Sequence, residues 1–328
     1  MQRNFIFNAW QFQLVHELTK GVVKKIGFII NSKAKKIKSL KVDILEVFGE
    51  YETTILETTF AGQAIDFAEN ITNNDFNYII SVGGDGTINE VVNGCMRAEI
   101  EKREKVIVGV LPFGSGNDFS RSLGVNDDIY QLKELIKNNC FCKIDIGNIT
   151  FQTKNAATES RYFINITDIG IGGEAVEKLN NYSSKIGPKI SYHLSILQSF
   201  STYKRVKVEL LSENLEWKGE TLSICMANGN YFANGMCIAP QANLIDGMFQ
   251  LVIMGKVSVL DYLKNLGKIK KGFNVDHPEV FYHKIAECSI NAQENTCPID
   301  MDGEFIGYAP LKLSIVEKSL NFLNKKYN

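Results

Sequence analysis

The first part of the chain alternates short apolar runs with amphipathic stretches. The runs predict buried strands, and the stretches between them carry apolar side chains at helical spacing. Strands that alternate with helices are typical of a parallel sheet with helices packed on it. The apolar runs are residues 26–30, 51–58, 76–82 and 106–111, and two of the amphipathic stretches are residues 61–70 and 88–96. We therefore predict an α/β domain over residues 24–145, with its ligand site beyond the carboxyl ends of the strands.

The pattern changes after residue 145. Runs rich in Thr, Ile and Val are separated by turn residues, which predicts a mostly antiparallel β domain over residues 146–311. These runs are residues 161–167, 206–211, 221–227, 247–253 and 285–291. A helical insert over residues 172–203 interrupts them. We expect the last segment, residues 312–328, to return to the first domain, and residues 1–23 to form a separate N-terminal extension.

Composition limits the classes of function. A hydrophobic content of 45% and a charged content of 22% are typical of a globular protein, and a net charge of −1 gives no overall field that would attract nucleic acid. No run approaches the ~18 apolar residues of a membrane span. Seven cysteines without paired metal-type spacing are expected to be reduced, which indicates a reducing compartment. We therefore expect a cytoplasmic protein that does not bind nucleic acid.

Two glycine-rich turns follow the third and fourth predicted strands. The first is Gly83–Thr87, and the second runs from Gly114 to Asp118. Each combines glycine, a hydroxyl residue and a carboxylate at the start of a helix, where backbone N–H groups bind phosphate and a carboxylate can hold a hydrated divalent cation. Either turn alone is more often an ordinary capped turn. Their joint occurrence predicts a nucleotide site built from neighbouring strand ends.

These two turns, together with later segments, resemble the diacylglycerol kinase catalytic-domain superfamily, which includes sphingosine and ceramide kinases. The chain is most similar to the bacterial diacylglycerol-kinase-like lipid kinases, from about Lys24 to the C-terminus. The later segments agree with that family in order and type. They are Ile164–Ile166, Gly170–Gly173, Lys185–Tyr192, Asn228–Phe232, Gly235–Pro240, Asp246–Gly247 and Asp302–Glu304.

The resemblance implies an α/β nucleotide-binding domain and a β-sandwich-like domain, with Mg-ATP in the cleft between them. It also implies that Asp85, Asp118 and Asp246 support Mg²⁺, and that Asp246 holds a structural cation together with main-chain oxygens of Asn243 and Met248. The residues that the resemblance assigns to ATP are Asn31, Ser32, Lys33, Ala34, Lys35, Thr58, Gly83, Gly84, Asp85, Gly86, Thr87, Ile88, Asn89, Ser115, Asn117 and Asp118.

The same resemblance implies the reaction, which is transfer of the γ-phosphoryl group of ATP to the hydroxyl of a diacylglycerol-like or sphingoid lipid at a membrane surface. Such a transfer needs a base near the acceptor hydroxyl. By resemblance, Glu304 is the first choice for this proton acceptor and Asp302 is the second, while Asp85 organises the metal. Taken alone, Asp302-Gly303-Glu304 is more often a β-turn in water.

The chain departs from the family pattern at three places. The first strand ends in Asn31-Ser32-Lys33-Ala34, whereas the family pattern has Asn-Pro followed by Ser-Gly. Ser115 stands where threonine is common, and this change keeps the hydroxyl. The approach to Asp246 is Asn243-Leu244-Ile245, which is less acidic than usual. A structural cation there would have fewer carboxylate ligands.

Two other functions stay open at this point. NAD kinases share the Gly-Gly-Asp-Gly-Thr turn, although they are not expected to carry Gly116-Asn117-Asp118-Phe119. A non-catalytic lipid- or nucleotide-binding regulator would keep the fold, although the retained carboxylates argue against it. The lysine-rich stretches 33–38 and 264–271 are either solvated faces or part of a membrane-facing patch. The sequence also leaves a homodimer open.

Overall fold

The computed structural model describes residues 23–34, 37–179, 188–292 and 297–327. Three sequence expectations lie outside these ranges, and they concern residues 1–22 of the N-terminal extension, Lys35, and Lys185–Gly187 of the helical insert. None of the helices in the described ranges is long and apolar enough to cross a bilayer. All seven cysteines are free thiols, and five of them are buried.

A parallel sheet forms the centre of the first domain. Its strands are β1 (Lys25–Asn31), β2 (Glu52–Thr58), β3 (Tyr78–Gly83) and β4 (Ile107–Pro112). They lie in the spatial order β2–β1–β3–β4, and all three pairings are parallel. The helices are α1 (Ile37–Val47), α2 (Gln63–Asn73), α3 (Asp85–Arg97), α4 (Ile100–Arg103), α5 (Asp118–Leu123) and α6 (Ile129–Lys137).

Helices cover both faces of this sheet. Successive side chains of a strand point to opposite faces, so Ile29 enters the core beneath α2 and α3, whereas Phe28 enters the core beneath α1 and α6. Every residue of β3 is buried, as expected for a central parallel strand with both faces covered. The continuous apolar runs of the sequence therefore mark strands buried on both sides.

The second domain is built from antiparallel strands. They are β5 (Phe141–Gln152), β6 (Thr158–Phe163), β7 (Ile166–Gly170), β8 (Val206–Ser212), β9 (Leu215–Thr221), β10 (Ser223–Ala227), β11 (Phe249–Met254), β12 (Val280–Ile285), β13 (Glu287–Ala292), β14 (Pro298–Met301) and β15 (Glu304–Leu323). Its helices are α7 (Ile171–Leu179), α8 (Pro188–Thr202) and α9 (Val259–Lys270).

These strands form a sandwich. One layer runs β12–β11–β10–β7–β14, the other contains β9–β8–β13 and β6–β5, and β15 pairs with strands of both. The core between the layers includes Phe163 stacked on Phe249, with ring centroids 5.4 Å apart. On the outer face of β7, β10 and β11, helices α7, α8 and α9 enclose a second apolar layer. The predicted α/β domain followed by an antiparallel β domain is confirmed.

Three predicted strands are divided in the structure, and one of them, residues 221–227, is divided at Leu222 between β9 and β10. Residues 161–167 span the end of β6 and the start of β7, because the N–H groups of Ile164 and Asn165 donate to the carboxylate of Asp302 and not to a neighbouring strand. Residues 285–291 are divided between β12 and β13 at a single residue. No element was predicted for residues 259–270, which form helix α9.

Strand β15 joins the two domains. Its first residues pair with β14, its middle pairs with β13 and β5, and Asn321 and Phe322 pair in parallel with β4 of the first sheet. The Asn321 amide also donates to the carbonyls of Glu104 and Val106. The predicted domain limits at residues 145 and 311 fall inside β5 and β15.

Candidate active site

The carboxyl ends of β1 to β4 border a cleft of about 1090 Å³. Asn31 pairs with Thr58, and Gly83 pairs with Pro112, so the four strand ends lie along one edge of the sheet. The turn between β14 and β15 forms the facing wall. The residues that line the cleft are Asn31, Ser32, Lys33, Ala34, Thr58, Thr59, Phe60, Ala61, Ala64, Gly83, Gly84, Asp85, Gly86, Thr87, Glu90, Phe113, Gly114, Ser115, Gly116, Asp302 and Gly303.

Helix α3 begins at this cleft with backbone donors exposed. Gly84 is its N-cap and makes no side-chain capping bond. The carbonyl of Gly84 accepts from Thr87 and Ile88, whereas within the described residues no acceptor is assigned to the N–H groups of Asp85 and Gly86. A Cβ added at Gly86 would meet nothing within 4 Å. Two N–H groups and the positive end of the helix dipole therefore face open space, which suits an anion.

The two glycine turns touch each other through their backbones. A Cβ added at Gly114 would lie 2.3 Å from the Cα of Gly84, so a side chain there would push the turns apart. Asn117 holds the second turn, because its side chain accepts from the N–H of Gly114 at 3.0 Å and donates to its carbonyl at 3.1 Å. Its φ of 56° is the left-handed conformation that asparagine tolerates. Ser115 is thereby presented to the cleft.

Asp85 and Asp118 lie beside each other, but only Asp85 lines the cleft. The Oδ1 of Asp85 accepts from the N–H of Phe119 at 3.1 Å, and no donor to its Oδ2 is found in the described part of the chain. Asp118 is buried, accepts from the N–H groups of Asn234 and Gly235 at 2.9 and 2.7 Å, and pairs with Arg121. Burial, and then the charge of Asp85, raise the pKa of Asp118.

Asp302 is held by four hydrogen bonds. Its Oδ1 accepts from the N–H groups of Asn165 and Ile166, and its Oδ2 accepts from Ile164 N and from Asn89 Nδ2, at distances of 2.8 to 3.0 Å. A carboxylate has about four lone-pair positions, so these bonds use all of them. Burial raises the pKa of Asp302 to about 6, although the hydrogen bonds oppose that shift.

Asp302 and Gly303 also form the two-residue turn between β14 and β15. Their φ angles are 51° and 88°, and Met301 pairs with Glu304 across the turn. Positive φ at both positions is what a type I′ hairpin turn requires, and Asp-Gly is a preferred sequence for it. The hairpin turn alone therefore accounts for Asp302 and Gly303 of the Asp302-Gly303-Glu304 motif.

Glu304, unlike Asp302, is exposed and is paired with an arginine side chain. Its side chain is 62% exposed and makes a two-pronged ion pair with Arg161, with N–O distances of 3.2 and 3.0 Å. It stands one residue beyond Gly303, which lines the cleft. Arg161 was not singled out from the sequence, because a lone arginine in a strand carries no motif.

Asp246 does not line the cleft, and its predicted link to Asp85 and Asp118 stays a prediction. Its Oδ2 accepts from Lys284 Nζ at 2.7 Å and its Oδ1 from Met248 N at 3.2 Å. Among the described residues, no group of three or more acidic, His or Cys side chains is placed to hold a metal. The ammonium of Lys284 supplies a positive charge where a cation was expected.

Other predicted nucleotide residues lie behind the wall of the cleft. Ile88 is in the core of the first domain, and Asn89 is buried with its amide on Asp302 and on the carbonyl of Tyr162. Asn93, one turn later, exchanges two hydrogen bonds with the backbone of Tyr162. Residues at i and i+4 share a helix face. This face of α3 therefore fixes the second domain against the first.

Sequence reasoning missed several residues of the cleft, and Glu90 and Phe60 are two of them. Glu90 accepts from the N–H groups of Gly62 and Ala64, so its carboxylate caps the N-terminus of α2 at the cleft. Phe60 is 62% exposed at the edge of the cleft, in the loop that follows Thr58. An exposed aromatic residue after a predicted strand is the one signal that could have indicated it.

The residues present fit Mg-ATP. The open N–H groups at the start of α3 suit phosphate oxygens, and Lys33 adds positive charge beside them. Proteins usually hold Mg²⁺ through one or two carboxylates together with the phosphates of the substrate. Asp85, with one oxygen open to the cleft, is placed for that contact.

Two family models match the chain. Residues 25–149 match the diacylglycerol kinase catalytic domain, and residues 166–324 match the YegS C-terminal NAD kinase beta sandwich-like domain. Among solved structures, one from Bacillus anthracis, assigned as a diacylglycerol kinase, has a TM-score of 0.73 at 21% identity and covers 94% of this chain and 99% of that chain. Yeast NADH kinase has a TM-score of 0.52 at 8% identity, covering 94% and 85%. Both show a shared fold.

Curated relatives show the family. A diacylglycerol kinase of Staphylococcus carnosus is 32% identical over 280 residues, which is 84% of this chain and 83% of the relative. One of Bacillus subtilis is 31% identical over 264 residues, or 79% and 82%. The two family models together span both domains, and their ranges contain the glycine turns and Asp302–Glu304. The chain therefore belongs to the diacylglycerol kinase family and is a lipid kinase.

Proposed function

We propose that this protein transfers the γ-phosphoryl group of ATP to the hydroxyl group of a diacylglycerol at a membrane surface. The observation that carries the proposal is the open N-terminus of α3, with its two free N–H groups, in a cleft whose facing wall contains Asp302 and Gly303, the two residues before Glu304. One wall suits a polyphosphate and the other supplies a base. The names of the relatives support diacylglycerol as the acceptor.

Asp85 is the residue that would hold Mg²⁺. Bound Mg²⁺ neutralises charge on the transferring phosphoryl group. Asp118 lies behind Asp85 and is held by the N–H groups of Asn234 and Gly235, so the second domain keeps the Asp118 carboxylate in place. Phosphoryl transfer depends mostly on such positioning and charge neutralisation.

Glu304 is the proton acceptor in this proposal. The acceptor hydroxyl gives its proton to a carboxylate oxygen of Glu304, its oxygen bonds to the γ-phosphorus, and the bond to the ADP oxygen breaks. Asp302 is a positioning residue, because its four lone-pair positions are already filled by protein donors. The ion pair with Arg161 orients Glu304 and leaves lone pairs free on both oxygens.

The apolar parts of both substrates have candidate places. Phe60 and Ala61, in the loop after β2, give that end of the cleft an apolar lining that suits the adenine ring. Phe305, the residue after Glu304, packs against the apolar layer between the outer sheet face and helices α7 to α9. Acyl chains that enter this layer would bring the glycerol hydroxyl toward Glu304.

The full chain should be tested with radiolabelled ATP, Mg²⁺ and a panel of lipids, followed by thin-layer separation. The panel contains diacylglycerol, sphingosine and ceramide. Label in a phosphorylated lipid, strongest with diacylglycerol, is expected. ATP hydrolysis without any labelled lipid would refute the proposal. NADP formation from NAD and ATP, in place of lipid phosphate, would assign the cleft to a different acceptor.

A further inference from the structure

The outer side of helix α9 carries exposed apolar side chains next to lysines. Leu260, Leu263 and Phe273 are 63%, 46% and 61% exposed. The neighbouring lysines are exposed as well, and within the described ranges Lys264 and Lys268 form no salt bridge. We name the set Leu260, Leu263, Lys264, Lys268, Lys271 and Phe273 the α9 face. Single exposed leucines are ordinary, but three large apolar side chains within one such segment are not.

Helical geometry places these side chains together. Residues three or four apart share one side of a helix, and the opposite side of α9 packs inward through Tyr262, Leu266 and Ile269. At the C-terminal end, Gly272 has a φ of 72° and the N–H of Phe273 donates to the carbonyl of Lys268 at 3.1 Å. This turn holds Phe273 at the end of the α9 face.

The segment is strongly basic, in contrast to the whole chain. Residues 256–271 contain five lysines and one aspartate, whereas the chain has a net charge of −1. The single aspartate, Asp261, is engaged in a capping box with Ser258 at the start of α9. Lysines in a last turn also complement the helix dipole. That effect does not account for the exposed Leu260, Leu263 and Phe273.

The α9 face lies directly outside the apolar layer of the second domain. Tyr262 contacts Met236, with 3.8 Å between its hydroxyl and the sulfur. The segment just before Met236 supplies the N–H groups that hold Asp118. Ile269 belongs to the same apolar layer as Phe305, the neighbour of Glu304. Only helix α9 would therefore separate a bilayer on the α9 face from the apolar layer that contains Phe305.

We propose that the α9 face binds an anionic lipid bilayer. The three apolar side chains enter the boundary between headgroups and acyl chains, and the lysines lie against anionic headgroups, as for an amphipathic helix in the plane of a membrane. A second copy of the chain fits less well, because a two-fold contact would oppose lysine to lysine. The inference rests on the proposed function in one respect, since it places the lipid substrate beside the site.

Vesicle flotation with the full chain tests binding without reference to catalysis. We expect binding to vesicles of phosphatidylcholine with phosphatidylglycerol, weaker binding to phosphatidylcholine alone, and loss of binding as salt is raised. Lys264→Gln with Lys268→Gln should weaken binding about tenfold or more. Leu260→Ser, Leu263→Ser and Phe273→Ser combined should do the same.

Matched controls come from the first domain. Ile100→Ser with Tyr130→Ser removes two equally exposed apolar side chains, and Lys105→Gln with Lys137→Gln removes two exposed lysines. All variants should keep the thermal unfolding midpoint of the parent. Turnover of a short-chain, water-soluble diacylglycerol should be unchanged in the α9-face variants, whereas turnover of vesicle-borne diacylglycerol should fall with binding.

The outcomes separate the two proposals. If the parent does not bind anionic vesicles, binds neutral ones equally, or keeps its affinity in both α9-face variants, this inference is overturned whatever the kinase assay shows. If the variants instead turn a dimer into a monomer without any effect on vesicles, the face belongs to a second copy and the inference is again overturned. If vesicles bind as expected but no lipid is phosphorylated, the proposed function alone fails.

Discussion

The two walls of the cleft differ in whether protein partners satisfy their polar groups. On the first-domain wall, the N–H groups of Asp85 and Gly86 and the Oδ2 of Asp85 have no protein partner within the described residues. On the second-domain wall, Asp302 has four donors. Unpaired polar groups are costly unless a ligand or water satisfies them, so the first wall is prepared for a ligand. The polar groups of the second wall are satisfied by the protein itself, and the exposed carboxylate of Glu304 follows this wall directly in the chain.

The largest expected effect comes from the open wall. Asp85→Asn removes the carboxylate charge that faces the cleft, and we expect the turnover number to fall about 10³-fold, which corresponds to the several kcal/mol that a catalytic metal supplies. Steady-state kinetics with varied Mg²⁺ would measure this loss. Asp66→Asn, an exposed aspartate in the first turn of α2, is the control and should be silent. Unchanged turnover in the Asp85 variant would contradict the inference that the first-domain wall is the one prepared for a ligand.

The next effect distinguishes the two carboxylates of the supporting wall. Glu304→Gln should lower the turnover number about 10²-fold or more, the usual contribution of a general base, with nearly unchanged ATP binding. Asp302→Asn should instead lower the free energy of unfolding by about 1–3 kcal/mol, because backbone donors lose their acceptor. Kinetics and urea unfolding on both variants measure this. A fully active Glu304 variant beside a stable but inactive Asp302 variant would reverse the two roles.

The buried acids of the second domain should make stability depend on pH. Asp168 faces Ser223, Cys225 and Asp300, and burial raises the pKa of Asp168 to about 7 from an unfolded value of about 3.9. The folded protein therefore keeps a proton that the unfolded chain has lost between these values. Its stabilising contribution is complete below about pH 4 and is lost as the pH rises through about 7.

Urea unfolding at pH 5 and pH 8 tests this directly. The parent should be less stable at pH 8, by about 2–4 kcal/mol, and Asp168→Asn should show a clearly smaller difference. Asp127→Asn, at an exposed position, should keep the full difference. An equal pH dependence in parent and Asp168 variant would show that the group titrates normally.

The smallest effect concerns the edge of the open wall. Phe60→Ala should raise the Michaelis constant for ATP several-fold, about the 0.5–1.5 kcal/mol of an aromatic contact, with an unchanged turnover number. Tyr130→Ala removes an equally exposed aromatic side chain outside the cleft and serves as the control. Equal Michaelis constants for ATP in the Phe60 variant and the parent would show that the adenine ring binds away from Phe60.

Local signals were enough to predict the fold class and the first wall. Buried runs, glycine at positions that need close backbone approach, and Asp-Gly at a hairpin turn each act within a few residues. The role of Asp302 could not be predicted in this way. Its donors are Asn89 and residues 164–166, which lie more than 130 positions away in the chain.

Helix α9 was missed for a different reason. Apolar residues occur on both its inner and its outer side, which obscures the helical period, and Gly267 lowers helix propensity. The capping pattern Ser258-Val259-Leu260-Asp261 was the available signal. The same outward leucines that hid the helix are those that mark its proposed membrane contact.

The continuity of β15 bears on how the protein can be taken apart. The strand begins at Glu304 and ends beside β4, so the segment that carries Glu304 and the sheet edge of the first domain share a single stretch of backbone. A fragment that stops near residue 149 would leave β4 with an unpaired edge, which is prone to aggregation. The separate roles of the two domains should therefore be tested with point substitutions in the intact chain. Truncation at a domain limit would disturb the folding of both fragments.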